Sequence, residues 1–331
     1  MYYFVLNPTA SSGMGSQVWK KIKPILKEHN VEYTLIALRE KEDLVTYVKT
    51  LTRRKVPVSL NDVPEETDVS KMQEENVQQD IHIVVLGGDG TLNLVLNSIE
   101  DMEHTKLSVI RVGSGNDFAR NAGVDKSPEK ALLHLLETPE ELVLDYGVAE
   151  YRTTGGQRIR RRFIISSGIG YDADICEEVS RSRLKKTLNV FHLGKLVYAM
   201  IGIKQIFTRN NTRAKIYMDD RKPIRVRNLF FAVGMIHEKE GGGVPFCPNA
   251  DPCDGQLDIC LAKGAFIGKQ LLEVLMVYWK KHLLFSNIAV YRSRKIRVVT
   301  ERPQWIHLDG ETPGQVKEVI MTCKQGMKFV K

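Results

Sequence analysis

The 331-residue sequence lacks the features of secreted, disulfide-bonded and membrane-spanning proteins. Its five cysteines are an odd number without CxxC spacing, which predicts reduced thiols in a cytoplasmic protein. No apolar run approaches the about 20 residues that a transmembrane helix needs. The first residues contain neither a basic region nor a small-residue cleavage site, so no secretory signal is expected.

Two nucleotide-binding fingerprints are also missing. The sequence contains no GxxxxGK[ST], which excludes a P-loop enzyme, and no GxGxxG, which excludes a Rossmann dinucleotide site. The net charge of +8 is concentrated in basic runs at residues 158–162, 181–186 and 292–297. No nucleic-acid-binding motif accompanies these runs, so we expect no nucleic-acid partner and predict peripheral attraction to an anionic membrane surface.

Strand and helix patterns alternate in the first half of the chain. Strands are predicted at residues 2–7, 33–38, 81–86 and 107–111, and helices at 16–27, 43–51, 92–99 and 128–136. This order predicts a parallel sheet with helices on both faces. Residues 52–80 are polar and interrupt the pattern, which indicates a surface insertion.

The second half contains mainly strand patterns with short connections. Two helices, predicted at about 193–207 and 267–283, interrupt them. This pattern is typical of an antiparallel β domain, and we interpret it as a sandwich. The predicted division is residues 1–145 and 146–331, with a C-terminal end that could return to the first domain.

Three loops rich in small residues follow predicted strands of the first domain. They are NPTASSGMG at residues 7–15, GGDGT at 87–91 and VGSGNDFAR at 112–120. Open α/β sheets bind ligands at the carboxyl ends of their strands, where backbone amides and hydroxyl groups cradle phosphate. The three loops together predict a phosphate-binding rim.

The motifs NPTASSG, GGDGTLN, GSGNDFAR, GGGVPFCPNADPCDGQLD and LDGE resemble the diacylglycerol kinase catalytic-domain family. This family includes bacterial soluble diacylglycerol and lipid kinases, and sphingosine and ceramide kinases. The resemblance extends from Asn7 to about Glu311. It implies an α/β plus β fold: an N-terminal three-layer α/β domain of the phosphofructokinase/NAD-kinase type and a C-terminal antiparallel β-sandwich domain carrying the DGE motif.

The resemblance also assigns nucleotide-binding positions, with ATP as the phosphoryl donor. The matching residues are Asn7, Ser11, Ser12, Gly13, Gly88, Asp89, Gly90, Thr91, Leu92, Asn93, Leu94, Ser114 and Asn116. Leu94 departs from the glutamate that many relatives carry after GGDGTLN. This departure removes no proposed proton acceptor. Its expected effect is therefore on nucleotide affinity.

Acidic residues fit the needs of phosphoryl transfer, which uses divalent metal and an acceptor for the hydroxyl proton. The resemblance implies a catalytic Mg²⁺ network at Asp89, Asp117 and Asp145. It places the proton acceptor in the DGE motif, at Asp309 or Glu311. Sequence does not decide between these two, and we slightly favour Asp309.

A second, structural Mg²⁺ is implied at NADPCDGQLD. Asp254 matches the family's carboxylate ligand, and Asp251 and Gln256 match positions that supply backbone carbonyls. Cys253 replaces the first acid of the usual Asp-Asp-Gly.

The leading hypothesis is an ATP-dependent lipid kinase that phosphorylates a lipid hydroxyl, with diacylglycerol converted to phosphatidic acid. Two alternatives are a soluble-substrate kinase of the NAD-kinase type and a catalytically silent regulator that binds nucleotide or lipid. We expect a cytoplasmic protein that associates peripherally with the membrane, and the resemblance makes a homodimer plausible.

Overall fold

The structure, a computed structural model, describes residues 1–7, 13–37, 41–53, 80–112, 116–182, 194–209 and 211–331, with the backbone alone at 194–198. The chain divides into two compact units. Unit 1 comprises Met1–Ser114, Val124–Val143 and Gly326–Lys331, and unit 2 comprises Gly115–Gly123 and Leu144–Gln325. Most of the predicted polar insertion, residues 54–79, lies outside the described residues.

The helices have bounds close to those predicted in the first half of the chain. In chain order they are α1 (Met14–Glu28), α2 (Lys41–Thr52), α3 (Asp89–Ser98), α4 (Asp117–Asn121), α5 (Pro128–Glu137), α6 (Tyr171–Arg181), α7 (Gly194–Thr208) and α8 (Ile267–Val277). None of the described helices is long and apolar enough to cross a bilayer.

Unit 1 is built on a parallel sheet. Its strands are β1 (Tyr2–Leu6), β2 (Tyr33–Ile36), β3 (Ile81–Gly87), β4 (Thr105–Arg111) and the C-terminal end of β13 (Glu311–Val330). The order is β2-β1-β3-β4-β13, and each neighbouring pair is parallel. The prediction of a parallel α/β domain is confirmed.

Both faces of this sheet are covered by helices. Phe4 and Leu6 of β1 pack in one core with residues of α1 and α5, while Val5, which points to the opposite face, is also fully buried. Helix α2 packs against α3. The sheet therefore presents its strand ends and loops, and not its faces, to solvent.

Unit 2 is antiparallel. Its further strands are β5 (Glu141–Arg152), β6 (Arg158–Phe163), β7 (Ser166–Gly170), β8 (Thr212–Met218), β9 (Ile224–Met235), β10 (Leu257–Lys263), β11 (Ile288–Ser293) and β12 (Lys295–Leu308). Strands β7 and β8 each pair with both β9 and β12, and β12 continues into β13 through a tight turn. Inward-facing apolar residues of these strands form one core, as the prediction of a β domain requires.

Two features of unit 2 differ from the sequence prediction. Helix α6 was not predicted; it follows Gly170, whose φ of 111° turns the chain out of β7. The helix predicted at 267–283 ends at Val277 and is followed by a 3₁₀ turn at His282–Leu284. Lys280 has a left-handed φ of 60°, which is incompatible with a continuous helix.

Candidate active site

The glycine loop of unit 1 connects β3 directly to α3. Gly88 is extended, and its carbonyl accepts hydrogen bonds from the amides of Thr91 and Leu92, at 3.1 Å each. Residue 87 must be small, because a Cβ there would lie 2.7 Å from the Cβ of Thr91. Asp89 and Gly90 thus begin a ten-residue helix, whose N-terminal amides favour an anion such as phosphate.

The first loop and the glycine loop are neighbours. The Asn7 side-chain amide donates to Thr91 Oγ1 at 3.4 Å, and a Cβ at residue 15 would lie 2.5 Å from the Asn7 carbonyl oxygen. Gly13, with a left-handed φ of 91°, precedes α1. Asn7 therefore contacts both the start of α1 and the start of α3.

Other predicted nucleotide positions differ in accessibility. Leu92 and Asn93 of α3 are buried, so their side chains support the loop by packing in the interior and do not face solvent. Leu94 is half-buried, and Asn116 is buried just before α4. Three further predicted residues, Ser11, Ser12 and Ser114, lie outside the described residues.

Asp117 holds the loop that follows β9. Its Oδ1 accepts a hydrogen bond from Arg120 at 2.6 Å, and its Oδ2 accepts one from the Gly242 amide at 2.7 Å. Both carboxylate oxygens are engaged, so a cation bound through water leaves these contacts intact, whereas direct coordination would displace one of them. The nearby Asn121 side chain also donates to the Lys239 carbonyl at 2.8 Å.

Asp145 lies with the predicted structural-magnesium turn. Its Oδ2 accepts the Gly255 amide at 2.6 Å, and its own amide donates to the Pro252 carbonyl at 2.7 Å. Burial raises the pKa of the Asp145 carboxyl, and the charges of Asp254 and Asp251 add to that rise. The structure thus places Asp145 with Asp251 and Asp254 in unit 2, while Asp89 belongs to unit 1.

The turn at 251–256 is ordered by its own carboxylates. Asp251 accepts the Cys253 amide at 3.0 Å, and Asp254 accepts the Gln256 amide at 2.9 Å. Together with Asp145, these acids form an oxygen-rich set with surplus negative charge. The three carboxylates are not close enough together to share one cation, so a hard ion such as Mg²⁺ would have to be held here by one carboxylate with backbone carbonyls and water.

Asp309 fixes the turn between β12 and β13. Its Oδ1 accepts the amides of Ile165 and Ser166 at 2.8 and 3.1 Å, and its Oδ2 accepts the Ile164 amide at 2.9 Å. The Asp309 amide donates back to the Ser166 carbonyl at 2.9 Å. Its φ of 48° is left-handed, a conformation that aspartate tolerates better than most residues. The carboxylate is therefore occupied by backbone donors.

Glu311 is placed differently. It begins β13, its side chain is 43% exposed, and its Oε2 accepts a hydrogen bond from Arg161 at 2.9 Å. Of the two predicted proton acceptors, Glu311 is the one whose carboxylate is fixed by a single side-chain partner and reaches solvent.

A buried polar cluster near this turn was missed by sequence reasoning. Asp172, Glu240 and His307 offer one ligand atom each, and these atoms lie within 4.8 Å of one another. His307 Nε2 lies 2.9 Å from Asp172 Oδ2, and Ser166 donates to Glu240. Glycine at 168 makes room for the pair, because a Cβ there would lie 1.8 Å from Asp172 Oδ2. In the part of the chain that the structure describes, this is the one group of three such side chains close enough to share a cation.

Two members of this cluster have raised pKa values. Burial raises the pKa of Glu240 to about 8, against an opposing effect of His307. Burial lowers the pKa of His307, but the charge and hydrogen bond of Asp172 overcome this effect and raise it to about 9. Both Glu240 and His307 therefore hold a proton at neutral pH.

These values predict that the folded protein loses stability as pH rises. Glu240 has an ordinary pKa of 4.5, so between about 4.5 and 8 the unfolded chain has released a proton that the folded chain keeps. His307 acts in the same direction between 6.5 and about 9. The Glu240→Gln variant should show a shallower decline of melting temperature than the parent protein between pH 5 and pH 8.

Calorimetry at constant ionic strength measures this slope. The exposed Glu318, replaced by glutamine, serves as the control and should leave the slope unchanged. Parallel melting curves for Glu240→Gln and the parent protein would show that Glu240 ionises normally.

The family models account for most of the chain. The model described as the diacylglycerol kinase catalytic domain matches residues 1–144, and the model described as the YegS C-terminal NAD kinase beta sandwich-like domain matches residues 165–327. The protein YtlR of Bacillus subtilis (strain 168) is 25% identical over 315 residues, 95% of this chain and 94% of its own. A diacylglycerol kinase of the same organism is 28% identical over 235 residues, 71% of this chain and 72% of its own.

Solved structures show the same fold. A diacylglycerol kinase from Bacillus anthracis str. Sterne has a TM-score of 0.65 at 19% identity, covering 99% of this chain and 95% of that one. Yeast NADH kinase has a TM-score of 0.51 at 10% identity, covering 100% of this chain and 82% of that one. The predicted α/β plus β-sandwich fold is confirmed, and residues 1–144 belong to the diacylglycerol kinase catalytic-domain family, a family of lipid kinases.

Proposed function

We propose that the protein transfers the γ-phosphoryl group of ATP to the hydroxyl group of diacylglycerol and so forms phosphatidic acid. ATP as donor follows from the kinase family. The observation that carries the proposal is the turn between β12 and β13, where a fixed aspartate precedes an exposed glutamate held by Arg161. The choice of diacylglycerol is supported by relatives that bear that name.

Glu311 is the proposed proton acceptor. Its exposed carboxylate can approach a lipid hydroxyl, take the proton, and leave the oxygen free to attack phosphorus. Asp309 acts as a positioning residue, because its oxygens are already bound to the amides of Ile164, Ile165 and Ser166. This assignment reverses the slight preference that sequence gave to Asp309.

The nucleotide phosphates are proposed to bind at the N-terminus of α3. The amides that begin this helix and the Thr91 hydroxyl supply donors, and Asn7 orients that hydroxyl. Mg²⁺, when bound, neutralises charge on the phosphates. Asp89, in the first turn of α3, is the residue proposed to hold it.

A second Mg²⁺ is proposed at the Asp254 carboxylate, with the backbone carbonyls of Asp251 and Gln256 as further ligands. Its role there is structural, because the turn packs against the first strand of unit 2 through the Asp145 contacts. The substrate lies in a membrane, so we further propose a peripheral cytoplasmic enzyme on an anionic lipid surface. We also propose a homodimer, on the basis of the family resemblance.

Transfer of labelled phosphate from ATP tests the proposed function. The acceptors are diacylglycerol, a sphingoid base, phosphatidylglycerol and NAD, with the lipids dispersed in neutral detergent. We expect label in phosphatidic acid that requires Mg²⁺. Label in NAD alone would support the soluble-substrate alternative, and ATP binding without transfer to any acceptor would support a silent regulator.

A further inference from the structure

Helix α8 has the reverse of the usual polarity of a surface helix. Its acidic and amide side chains, Glu273 and Gln270, are buried, with Glu273 only 1% exposed. Its solvent-facing positions are apolar: Leu272, Leu275 and, just beyond the helix, Trp279. These three are spaced three and four residues apart, so they form one stripe along the helix.

The segments on either side of α8 extend this apolar surface. Phe266 precedes the helix and is 74% exposed. Tyr278 and Trp279 follow it, each about 60% exposed, and Leu284 in the 3₁₀ turn is 82% exposed. The left-handed Lys280 redirects the chain so that a second group of apolar side chains comes after the helix. Scattered exposed apolar residues are normal, but so many within one short segment indicate an interaction site.

A second helix adds to the surface. Met200, Ile203 and Phe207 of α7 are exposed and are spaced three and four residues apart. Helix α7 packs against α8. The two apolar stripes therefore lie on neighbouring helices of unit 2.

The exposed charged side chains of residues 263–286 are all basic. Residues 263–286 contain the lysines Lys263, Lys269, Lys280 and Lys281, and the single acid of this segment, Glu273, is buried. Lys280 pairs with Glu238, and Lys269 lies 3.8 Å from Glu273. Lys263 and Lys281 are exposed. Exposed tryptophan, tyrosine and leucine bordered by lysine match the composition of membrane-interface helices.

We propose that this docking face, residues 263–286 with the exposed stripe of α7, inserts into the interfacial region of an anionic membrane. The proposal deepens the proposed function, on which it rests, by naming how the enzyme reaches a lipid. Leu275, Trp279 and Leu284 enter the acyl boundary, and the lysines contact anionic headgroups.

The charge argues for lipid over a second copy of the chain. Two copies joined through this face would bring lysines of like sign together, which opposes association. An anionic surface complements them.

The most basic run of the sequence is less suited to docking. Arg158 and Arg160 pair with Glu150, and Arg161 pairs with Glu311. These charges are used within unit 2, so this run offers less free charge than its composition suggests.

Vesicle flotation measures the docking. The parent protein should bind phosphatidylcholine vesicles that contain phosphatidylglycerol, and part of the binding should survive high salt because apolar insertion is not screened. The Leu275→Asp/Leu284→Asp variant should have a partition coefficient at least about thirtyfold lower. Lys281→Gln should lower binding to the anionic vesicles about fivefold and leave binding to neutral vesicles unchanged.

A matched control comes from unit 1. Tyr47 of α2 is also an exposed aromatic residue, and Tyr47→Asp should bind vesicles as the parent does. Parent-like binding by the Leu275→Asp/Leu284→Asp variant, or no vesicle binding by the parent, would overturn the proposal. A concentration-dependent dimer that this variant abolishes, without vesicle binding, would assign the face to a second copy.

Tryptophan quenching reports the depth of insertion. The chain has three tryptophans, and Trp279 is the one on the docking face. Lipids brominated near the headgroup end of the acyl chain should quench part of the emission, and Trp279→Phe should remove that quenching while vesicle binding persists. Equal quenching in the Trp279→Phe variant would overturn the placement.

Activity in detergent separates the two proposals. The Leu275→Asp/Leu284→Asp variant should phosphorylate detergent-dispersed diacylglycerol at the parent rate and vesicle-embedded diacylglycerol poorly. If the parent is inactive on every dispersed lipid yet binds vesicles through this face, the proposed function fails and the docking proposal stands.

Discussion

The Glu311→Gln variant is expected to lose about 10²–10⁴-fold in kcat, the usual contribution of a positioned general base. Glutamine keeps the size of the side chain and a hydrogen-bond acceptor for Arg161, but it cannot take a proton at neutral pH. Because Glu311 is exposed and contacts one side chain, its replacement should leave the free energy of unfolding within the small range of surface changes. Steady-state kinetics on dispersed diacylglycerol, with urea titration of the same samples, measure both quantities.

Glu318→Gln is the matched control for this experiment. Glu318 lies on the same strand, β13, is 44% exposed, and pairs with Arg297 at 2.8 Å. Loss of its charge should leave kcat unchanged. Near-normal turnover of Glu311→Gln would return the proton-acceptor role to Asp309.

The Asp309→Asn variant is expected to lose about 2–4 kcal/mol of unfolding free energy, because charge-assisted hydrogen bonds are strong and unsatisfied buried donors are costly. An asparagine at this position has one oxygen in place of two, so its NH₂ group must face either the Ile164 amide or the amides of Ile165 and Ser166. The turn that carries Glu311 would loosen, and kcat should fall as a consequence. Urea unfolding monitored by tryptophan fluorescence measures the stability change.

Asp219→Asn controls for backbone conformation. Asp219 also has a left-handed φ, 46°, and accepts one backbone amide, that of Lys295, at 3.0 Å. Its replacement by asparagine should cost much less than the replacement at 309. If Asp309→Asn were as stable as the parent protein and inactive, the carboxylate would have a chemical role and Glu311 would be its support.

Local patterns were sufficient to predict the α/β unit and the loops that begin α3 and α4. Glycine runs between an apolar strand and a helical pattern occur where the chain must turn tightly, so Gly87 to Asp89 could be placed from sequence. The Asp309 turn could be placed as well, because it follows a strand pattern. The sequence could not show that the Asp309 carboxylate is the one bound by backbone amides, because those amides come from the distant residues 164–166.

The buried cluster shows the limit of local reasoning. Asp172, Glu240 and His307 are 68 and 67 residues apart along the chain, and the pairing of β7 with both β9 and β12 places them together. Each looks like an isolated polar residue beside an apolar run. The only local signal is His307 in WIHLDG, a titratable side chain within a buried strand end.

Helix α8 shows a different limit. The apolar spacing predicts the helix, yet both its faces carry apolar residues, and spacing does not say which face is inward. The tertiary structure buries Glu273 and exposes Leu275, an orientation opposite to the one that polarity alone favours.

The place of the last residues in the sheet has a consequence for synthesis on the ribosome. Lys328 pairs with Lys106 of β4, and the Lys331 and Glu140 backbones exchange two hydrogen bonds. The ribosome synthesises the N-terminal end first, so β4 is made more than 200 residues before its partner segment of β13. Unit 1 therefore cannot complete its sheet during synthesis until unit 2 has also been synthesised. One edge of β4 therefore stays without its partner strand in the nascent chain until β13 has been synthesised.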